Sequence, residues 1–368
     1  MEKAIWFLRT LLVVISTFTA TAQKSLRPVD LVYPLLDSEN SRWIFFSSAS
    51  RPFGMVNLCP DNRINGDWGS GYHYEVDTIR GFSHLHEWQI SGLLVMPVTI
   101  PSTNKEALFT DFSSTFFHAN ETVKPGYHSV LLDRYSVNAE MTATSRVGFH
   151  RYKYPANSTP AVLIYLNGEL GPCINKAGTL EKSGPRSLKG SVVNAATRRR
   201  VKDFNVYFRI DFNVDIKNVE KDPKTGNFLV IFEPSAGKQM LMKAALSYTS
   251  EENAGINMKR ELPHWNFDQV VNESQEEWNG MLSRILIEGG TKQQQQRFYT
   301  DLYHSILGRR TISDANGAYP DNTGDKFLVK QIPCDKSGKP LFNQFNFDAF
   351  WAPQWTLHPL WDLGKPEI

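Results

Sequence analysis

The chain is poor in several things, and each shortage excludes a class of protein. Its 368 residues hold three cysteines, Cys59, Cys173 and Cys334, odd in number and far apart. That excludes a disulfide framework and zinc-ligand spacing, and each reads as a small buried apolar residue. An excess of charge of one sign is lacking: 40 Lys and Arg against 38 Asp and Glu leave a net charge of +2, which argues against a nucleic-acid partner. The one tight basic run, Arg198, Arg199, Arg200 and Lys202, sits beside a strand pattern and reads as a solvated strand approach. Beyond the first residues no apolar stretch is long enough for a transmembrane helix. No internal repeat is found, and no low-complexity segment beyond Gln293 to Gln296.

The N-terminus carries an address. Lys3 and Arg9 precede the apolar run Leu11 to Phe18, and Ala20-Thr21-Ala22 puts small residues where a signal peptidase cuts. The expectation is a signal peptide over residues 1–22, a mature chain from Gln23 and export to the periplasm or medium. No cysteine follows the run closely, so no lipoprotein anchor is indicated. The length suggests about two domains. Hydrophobic residues at 41% and charged residues at 21% are ordinary for a globular chain. Nine tryptophans and 12% aromatics suit stacking on the apolar faces of sugars and suit a large β-core equally.

Residues 23–252 read as a β-sandwich domain. Phe204, Val206, Phe208, Ile210 and Phe212 alternate with Asn205, Arg209 and Asp211, as do Val137, Ala139, Met141 and Ala143 with Asn138, Glu140 and Thr142. Val162 to Leu166 and Phe228 to Phe232 are continuous apolar runs, the pattern of strands covered on both faces. Residues 253–312 read as a linker of two helices. Trp265, Val270, Val271, Trp278 and Leu282 share one helical face. Thr291 is the expected N-cap of a helix over about Lys292 to Leu307. Residues 313–368 read as a loop from Ser313 to Lys326, then a helix over Phe350 to Leu363 with apolar surface that nothing left in the sequence covers. The acidic pairs Glu251-Glu252 and Glu276-Glu277 read as solvated. Asp321, Asn322 and Asp325 read as a turn, lacking the order of a calcium loop.

The densest motif region runs from Arg51 to Gly92. It holds Arg51-Pro52-Phe53-Gly54-Met55-Val56, Gly66-Asp67-Trp68-Gly69-Ser70-Gly71-Tyr72-His73-Tyr74 and Ile79-Arg80-Gly81-Phe82-Ser83-His84-Leu85-His86-Glu87-Trp88. Without helix or strand period it reads as functional loop. Trp68 can stack on a sugar face, and His84, His86 and Glu87 can hydrogen-bond hydroxyls. Taken singly, each histidine reads as a hydrogen-bonded structural residue rather than a ligand; taken together, the segment reads as a site wall. His84 and His86, two apart, suit a metal pair but are too few for a site.

These motifs resemble glycoside hydrolase family 92, the calcium-dependent exo-α-mannosidases. Asn40-Ser41-Arg42-Trp43, Gly126-Tyr127-His128-Ser129-Val130, Gly148-Phe149-His150-Arg151-Tyr152 and Phe298-Tyr299-Thr300-Asp301-Leu302-Tyr303-His304 continue the resemblance. So does Asp314-Ala315-Asn316-Gly317-Ala318-Tyr319. The resemblance implies a galactose-mutarotase-like β-sandwich, a helical linker and the truncated start of an (α/α)6 barrel. It implies inverting hydrolysis of α-mannosides, for which an acid and a base stand about 6.5–9.5 Å apart, aided by Ca²⁺. The family's acid, base and most calcium ligands belong to the barrel, so no catalytic residue is assigned here, and the fragment alone is expected to be inactive. On this resemblance Phe53, Gly54, Trp68, His84 and His86 line one side of a shallow glycan pocket. Ala352 stands after Trp351 where many members have aspartate, and Trp355 stands where arginine is usual; both mark a divergent subgroup. The alternative is a non-catalytic carbohydrate-binding β-sandwich protein.

Overall fold

In a computed structural model the residues described are 26–39, 46–64, 71–87, 89–234, 239–346 and 357–364. The expected signal peptide, Trp68, and the segment holding Trp351, Ala352 and Trp355 lie outside them. No helix among the described residues is long and apolar enough to cross a membrane.

Two antiparallel sheets make the body. The seven-stranded sheet runs Ala49–Ser50, Asn57–Asp61, Gly81–His86, Ser91–Thr99, Pro160–Tyr165, Phe228–Phe232 and Ile216–Lys221. The nine-stranded sheet runs Gly168–Leu170, Cys173–Gly184, Ser187–Asn194, Phe204–Phe212, Gln239–Ser247, Val147–Lys153, Val137–Ala143, Tyr127–Leu132 and Glu121–Lys124. Inward residues of both sheets join in one apolar core, from Leu58, Phe82 and Val95 to Phe208, Ile210 and Met242. This is the expected sandwich. Phe204–Phe212 alternates buried and half-buried because its second face meets solvent and helix. Phe228–Phe232 is buried throughout.

The Arg51–Gly92 region departs from its reading as loop. Two of the sandwich strands, Asn57–Asp61 and Gly81–His86, come from it and a third, Ser91–Thr99, begins in it; Asn57–Asp61 is buried at every residue. Period two vanishes there because both faces are covered, and the polar side chains find their partners inside.

Three helices, not two, follow the sandwich: α1 (Glu251–Glu261), α2 (Phe267–Leu282) and α3 (Lys292–Ile306). Ser250 caps α1 by accepting from the Asn253 N–H, with Glu251 and Glu252 in the first turn and Lys259 and Arg260 in the last, a charge order that suits the helix dipole. Pro263 and the Asn266 cap separate α1 from α2, so Trp265 stands ahead of the helical face assigned to it. Thr291 and Gln294 form a capping box at α3, the kind of cap worth about 1 kcal/mol. Met258, Leu262, Phe267 and Val270 pack on Val147, Phe149 and Ala245 of the nine-stranded sheet. Ala318–Asp321 pairs with Leu328–Gln331 within the span read as loop. The last helix described is α4 (Leu357–Gly364). It is better covered than expected. Leu363 is 87% exposed, but Trp361 is 4% exposed and joins Phe53, Trp278 and Tyr303 in one cluster.

Candidate functional site

The Arg51–Gly54 turn is a bracket between sandwich and helices. The Gly54 N–H closes it on the Arg51 carbonyl at 3.1 Å. Arg51 Nε donates to the Ala143 carbonyl at 2.8 Å, and Nη1 reaches Glu277 of α2 at 2.6 Å. Glu277 is therefore not simply solvated. A Cβ on Gly54 would sit 3.3 Å from the Arg51 and Ser145 carbonyls, so the turn needs a small residue. Phe53 takes a φ of 57°, uncommon for a bulky residue. Its carbonyl accepts both the N–H and the hydroxyl of Thr311, each at 2.9 Å. Its ring lies 6.2 Å from Phe345 and 6.1 Å from Trp361, edge to face. Phe53 is 6% exposed and packs as a core residue between turn and α4.

His84 and His86 share the Gly81–His86 strand yet serve different networks. His84 is fully buried. Its Nδ1–H donates to the Leu93 carbonyl at 2.7 Å, so its Nε2 must accept from His150 Nε2–H at 2.9 Å. His150 Nδ1 in turn accepts from the Tyr152 hydroxyl at 2.9 Å. Every ring is neutral in this chain. Burial pushes His84 down to about 4 and, with His84 beside it, holds His150 well below the ordinary histidine range.

His86 is the opposite case. Nδ1 faces the Asn57 carbonyl at 2.7 Å and Nε2 faces Asp61 Oδ1 at 2.8 Å. Both partners only accept, so both ring nitrogens carry protons. Burial works against that charge. Cys59 and the Asp61 carboxylate outweigh it and raise the ring well above its usual value. Asp61 Oδ2 also accepts the Ser83 N–H at 2.9 Å and the Ser83 hydroxyl.

Next in the chain, Glu87 is 2% exposed. It accepts from the Tyr248 hydroxyl at 3.1 Å and from Asn346 Nδ2 at 2.9 Å. Arg310, 1% exposed, approaches Glu87 Oε2 to 3.9 Å and donates to the His86 carbonyl. Phe53, His86, Glu87, Arg310 and Asn346 thus meet where the Arg310–Thr311 and Phe345–Asn346 strands pair. His84 sits deeper in the sandwich. The sequence gives no periodic signal for Arg310, because its two-residue strand is too short to show one.

A second buried centre went unread. Glu121 accepts from His128 Nε2 at 2.9 Å, His118 Nδ1 at 2.7 Å and the Tyr72 hydroxyl at 3.0 Å. His128 Nδ1 pairs with the Ser48 hydroxyl at 2.7 Å. Burial would raise the Glu121 carboxyl, but hydrogen bonds from His128, His118 and Tyr72 take it below the usual range. Tyr72 and His128 of two family-like motifs thereby join inside the fold. Their serine–histidine–glutamate order is a structural one, since Ser48 and His128 have no exposed surface.

Among the described residues no group of three or more His, Cys, Asp and Glu side chains assembles as a metal site. The oxygen-rich turn at Asp321 is committed elsewhere: its carboxylate holds Lys330 at 2.6 Å and the Thr323 N–H at 3.0 Å. These residues do not fit the implied calcium, and no step is derived through it.

Residues 31–260 match the glycosyl hydrolase family 92 N-terminal domain, the class to which this sandwich belongs. Residues 253–368 match the catalytic domain of the same family. The chain belongs to glycosyl hydrolase family 92. It is similar in fold to a family GH92 alpha-mannosidase from Bacteroides thetaiotaomicron, with a TM-score of 0.78 and 22% identity over 94% of this chain and 48% of that one. The same mannosidase in complex with mannoimidazole gives 0.79 and 21% over 93% and 47%. A family GH92 inverting mannosidase from Bacteroides thetaiotaomicron gives 0.74 and 21% over 92% and 46%. This chain therefore spans about half the length of those solved proteins. No curated protein sequence matches the chain.

Proposed function

We propose that this chain is the N-terminal, galactose-mutarotase-like lobe of an exported, exo-acting, inverting α-mannosidase with the start of an (α/α)6 barrel, and that it builds one wall of the glycan pocket. The observation that carries the reading is the convergence of Phe53, Glu87 and Arg310, where the sandwich meets the segments matching the catalytic domain. Gly54 and His86 belong to that wall in this reading, with Phe53 packed behind the turn that carries Gly54. His84 acts behind it by fixing the strand that carries His86.

The wall holds and orients; it does not perform the chemistry. Inversion needs one carboxylic acid to protonate the leaving oxygen and one carboxylate to activate water. Asp61 is tied to His86 and Ser83, Glu87 to Tyr248 and Asn346, and Glu121 to two histidines and a tyrosine. A carboxylate spent on internal donors is poorly placed to trade protons with substrate. The calcium of the family has no ligand set among the described residues in this reading. The test is incubation of the purified chain with α-mannobiose and calcium, alongside calorimetry with the same disaccharide. No mannose release with measurable heat supports a binding wall. Release of mannose overturns the assignment of chemistry elsewhere, and absence of both release and heat overturns the wall.

A further inference from the structure

Lys243 is a buried amine that the glycan reading leaves without a role. It stands on the outer face of the nine-stranded sheet, in the strand Gln239–Ser247. Ala245, two residues on and on the same face, packs with Met258 and Leu262 of the helical layer. Lys243 is 4% exposed. Its Nζ donates to the carbonyl of Leu262, the C-cap of α1, at 2.9 Å and lies 4.0 Å from the centre of the Trp265 ring. Asp211 is its register partner on the next strand, but that carboxylate accepts from Arg209 Nε at 3.1 Å. The contacts of the amine are therefore a carbonyl and a ring.

A cavity of about 540 Å³ opens over this amine. Arg209, Asp211 and Lys243 line it from the sheet, Glu252 and Lys259 from α1, and Trp265 from the loop before α2. Ligand pockets span about 300–1,000 Å³, so the space admits a small organic molecule. Around the amine the charges balance, Arg209 and Lys259 against Asp211 and Glu252, and all four offer hydrogen bonds. Such a lining suits a neutral, hydroxyl-rich molecule better than an ion. Burial pushes the Lys243 amine down to about 8, against the pull of Asp211 toward the charged form. A group at about 8 is about 10% neutral at pH 7, whereas an ordinary lysine near 10.4 is about 0.04% neutral. The neutral amine keeps an N–H for the Leu262 carbonyl and still has a lone pair to offer.

We infer that Lys243 is a nucleophilic amine and that the cavity above it receives a small polyhydroxy aldehyde, the open-chain form of a short reducing sugar. The nitrogen lone pair adds to the carbonyl carbon, so a C–N bond forms as the C=O π bond opens. Loss of water then gives the imine. The oxygen leaves with the two amine hydrogens, and no oxidant or reductant takes part. Desolvated lysines are suited to forming such imines. Asp211 and Glu252, carboxylates of the same lining, are the groups that pass protons between nitrogen and oxygen. The inference does not depend on the glycan wall.

The experiment incubates the full chain at pH 7 with D-glyceraldehyde and cyanoborohydride, which reduces an imine to a stable secondary amine. Peptide mass mapping then reads the rate of labelling at each lysine. No variant is needed, so folding of a mutant does not enter. Lys259, exposed on the rim of the same cavity, is the internal reference. The expected result is that Lys243 is labelled at least about tenfold faster than Lys259, given the larger neutral fraction of a depressed amine. Labelling of Lys243 no faster than Lys259 overturns the inference. The lead is expected to narrow near pH 10, where ordinary lysines also lose their protons. A lead that does not change with pH overturns the neutral amine as its cause. Butanal, which has no hydroxyls, is expected to lower the ratio of Lys243 to Lys259 labelling. An equal or higher ratio with butanal overturns the assignment of the cavity to a polyhydroxy aldehyde.

Discussion

His84 and His150 meet Nε2 to Nε2 at 2.9 Å across the two sheets of the sandwich, and that single contact explains two of the motifs that mark this chain. A Cβ on Gly148 would sit 2.7 Å from the His84 ring. Gly148 is a glycine because His84 lies over it, and His150, two residues on, supplies the donor. Gly81-Phe82-Ser83-His84 and Gly148-Phe149-His150 are two halves of one packing arrangement. The first prediction is that Gly148→Ala destabilises the chain by about 1–3 kcal/mol, the usual cost of overpacking a close-fitted core. Chemical unfolding of the variant checks it, and an unchanged midpoint refutes the contact.

The same pair sets a pH dependence. His84 titrates near 4 when folded and near 6.5 as an unconstrained ring. Between those values the unfolded chain binds the extra proton, so the contribution is intact above about pH 6.5 and falls away as pH drops toward 4. His86, raised in the fold, has the opposite sign: its contribution is full at low pH and fades as pH rises through its folded value. Urea midpoints at pH 4.5, 5.5 and 7 are expected to fall with acid. The double change His84→Gln/His150→Gln flattens that slope while leaving the His86 part. An unaltered slope contradicts the neutral pair.

Arg51 joins the sandwich to α2 through Ala143 and Glu277. Glu277 is 48% exposed and Arg51 10%, so solvent weakens the ion pair and the buried carbonyl contact carries more of the effect. Arg51→Ala is expected to cost about 1–3 kcal/mol. Arg51→Lys recovers little, because an ammonium does not span the two partners. Full rescue by lysine, seen in thermal melts, would show that charge alone matters.

Phe53 holds α4 through Trp361. Phe53→Ala is predicted to cost about 3–5 kcal/mol and to free α4 before the sandwich opens. Limited proteolysis reads this: early cleavage within 357–364 with an intact sandwich is expected, and uniform cleavage argues against it.

The sequence made the half-buried strands Val137–Ala143 and Phe204–Phe212 and helix α3 legible, because alternation and the Thr291–Gln294 box are local signals. It hid whatever is settled by two distant segments. The Asn57–Asp61 and Gly81–His86 strands looked like loop since both faces are buried and their polar residues pair across the core. His84 and His86 looked equivalent at spacing two, yet Leu93 and His150 make one neutral while Asn57 and Asp61 make the other charged. Glu121 sits in an ordinary alternating strand; His118 and His128 are near it in the chain, but neither strand nor helix period marks that pairing, and only tertiary folding adds Tyr72. Asp314 was visible as motif but not as structure: Ser247 and Asn257 bury it at 2.9 and 2.6 Å and tie the segment after α3 to α1. Nothing in a linear pattern marks Arg310, whose partners lie more than two hundred residues away.

The proposed export signal has its own test. Expression in a bacterial host with its leader is expected to give a mature product beginning at Gln23, read by N-terminal sequencing; an intact Met1 in the exported fraction refutes cleavage at Ala22.

The most direct test of the central claim, a glycan wall without its own acid and base, is mannose release from α-mannobiose by the purified 368-residue chain in calcium. The account predicts none above background while the disaccharide still binds. Calcium-dependent release of mannose, abolished by a chelator, would contradict it.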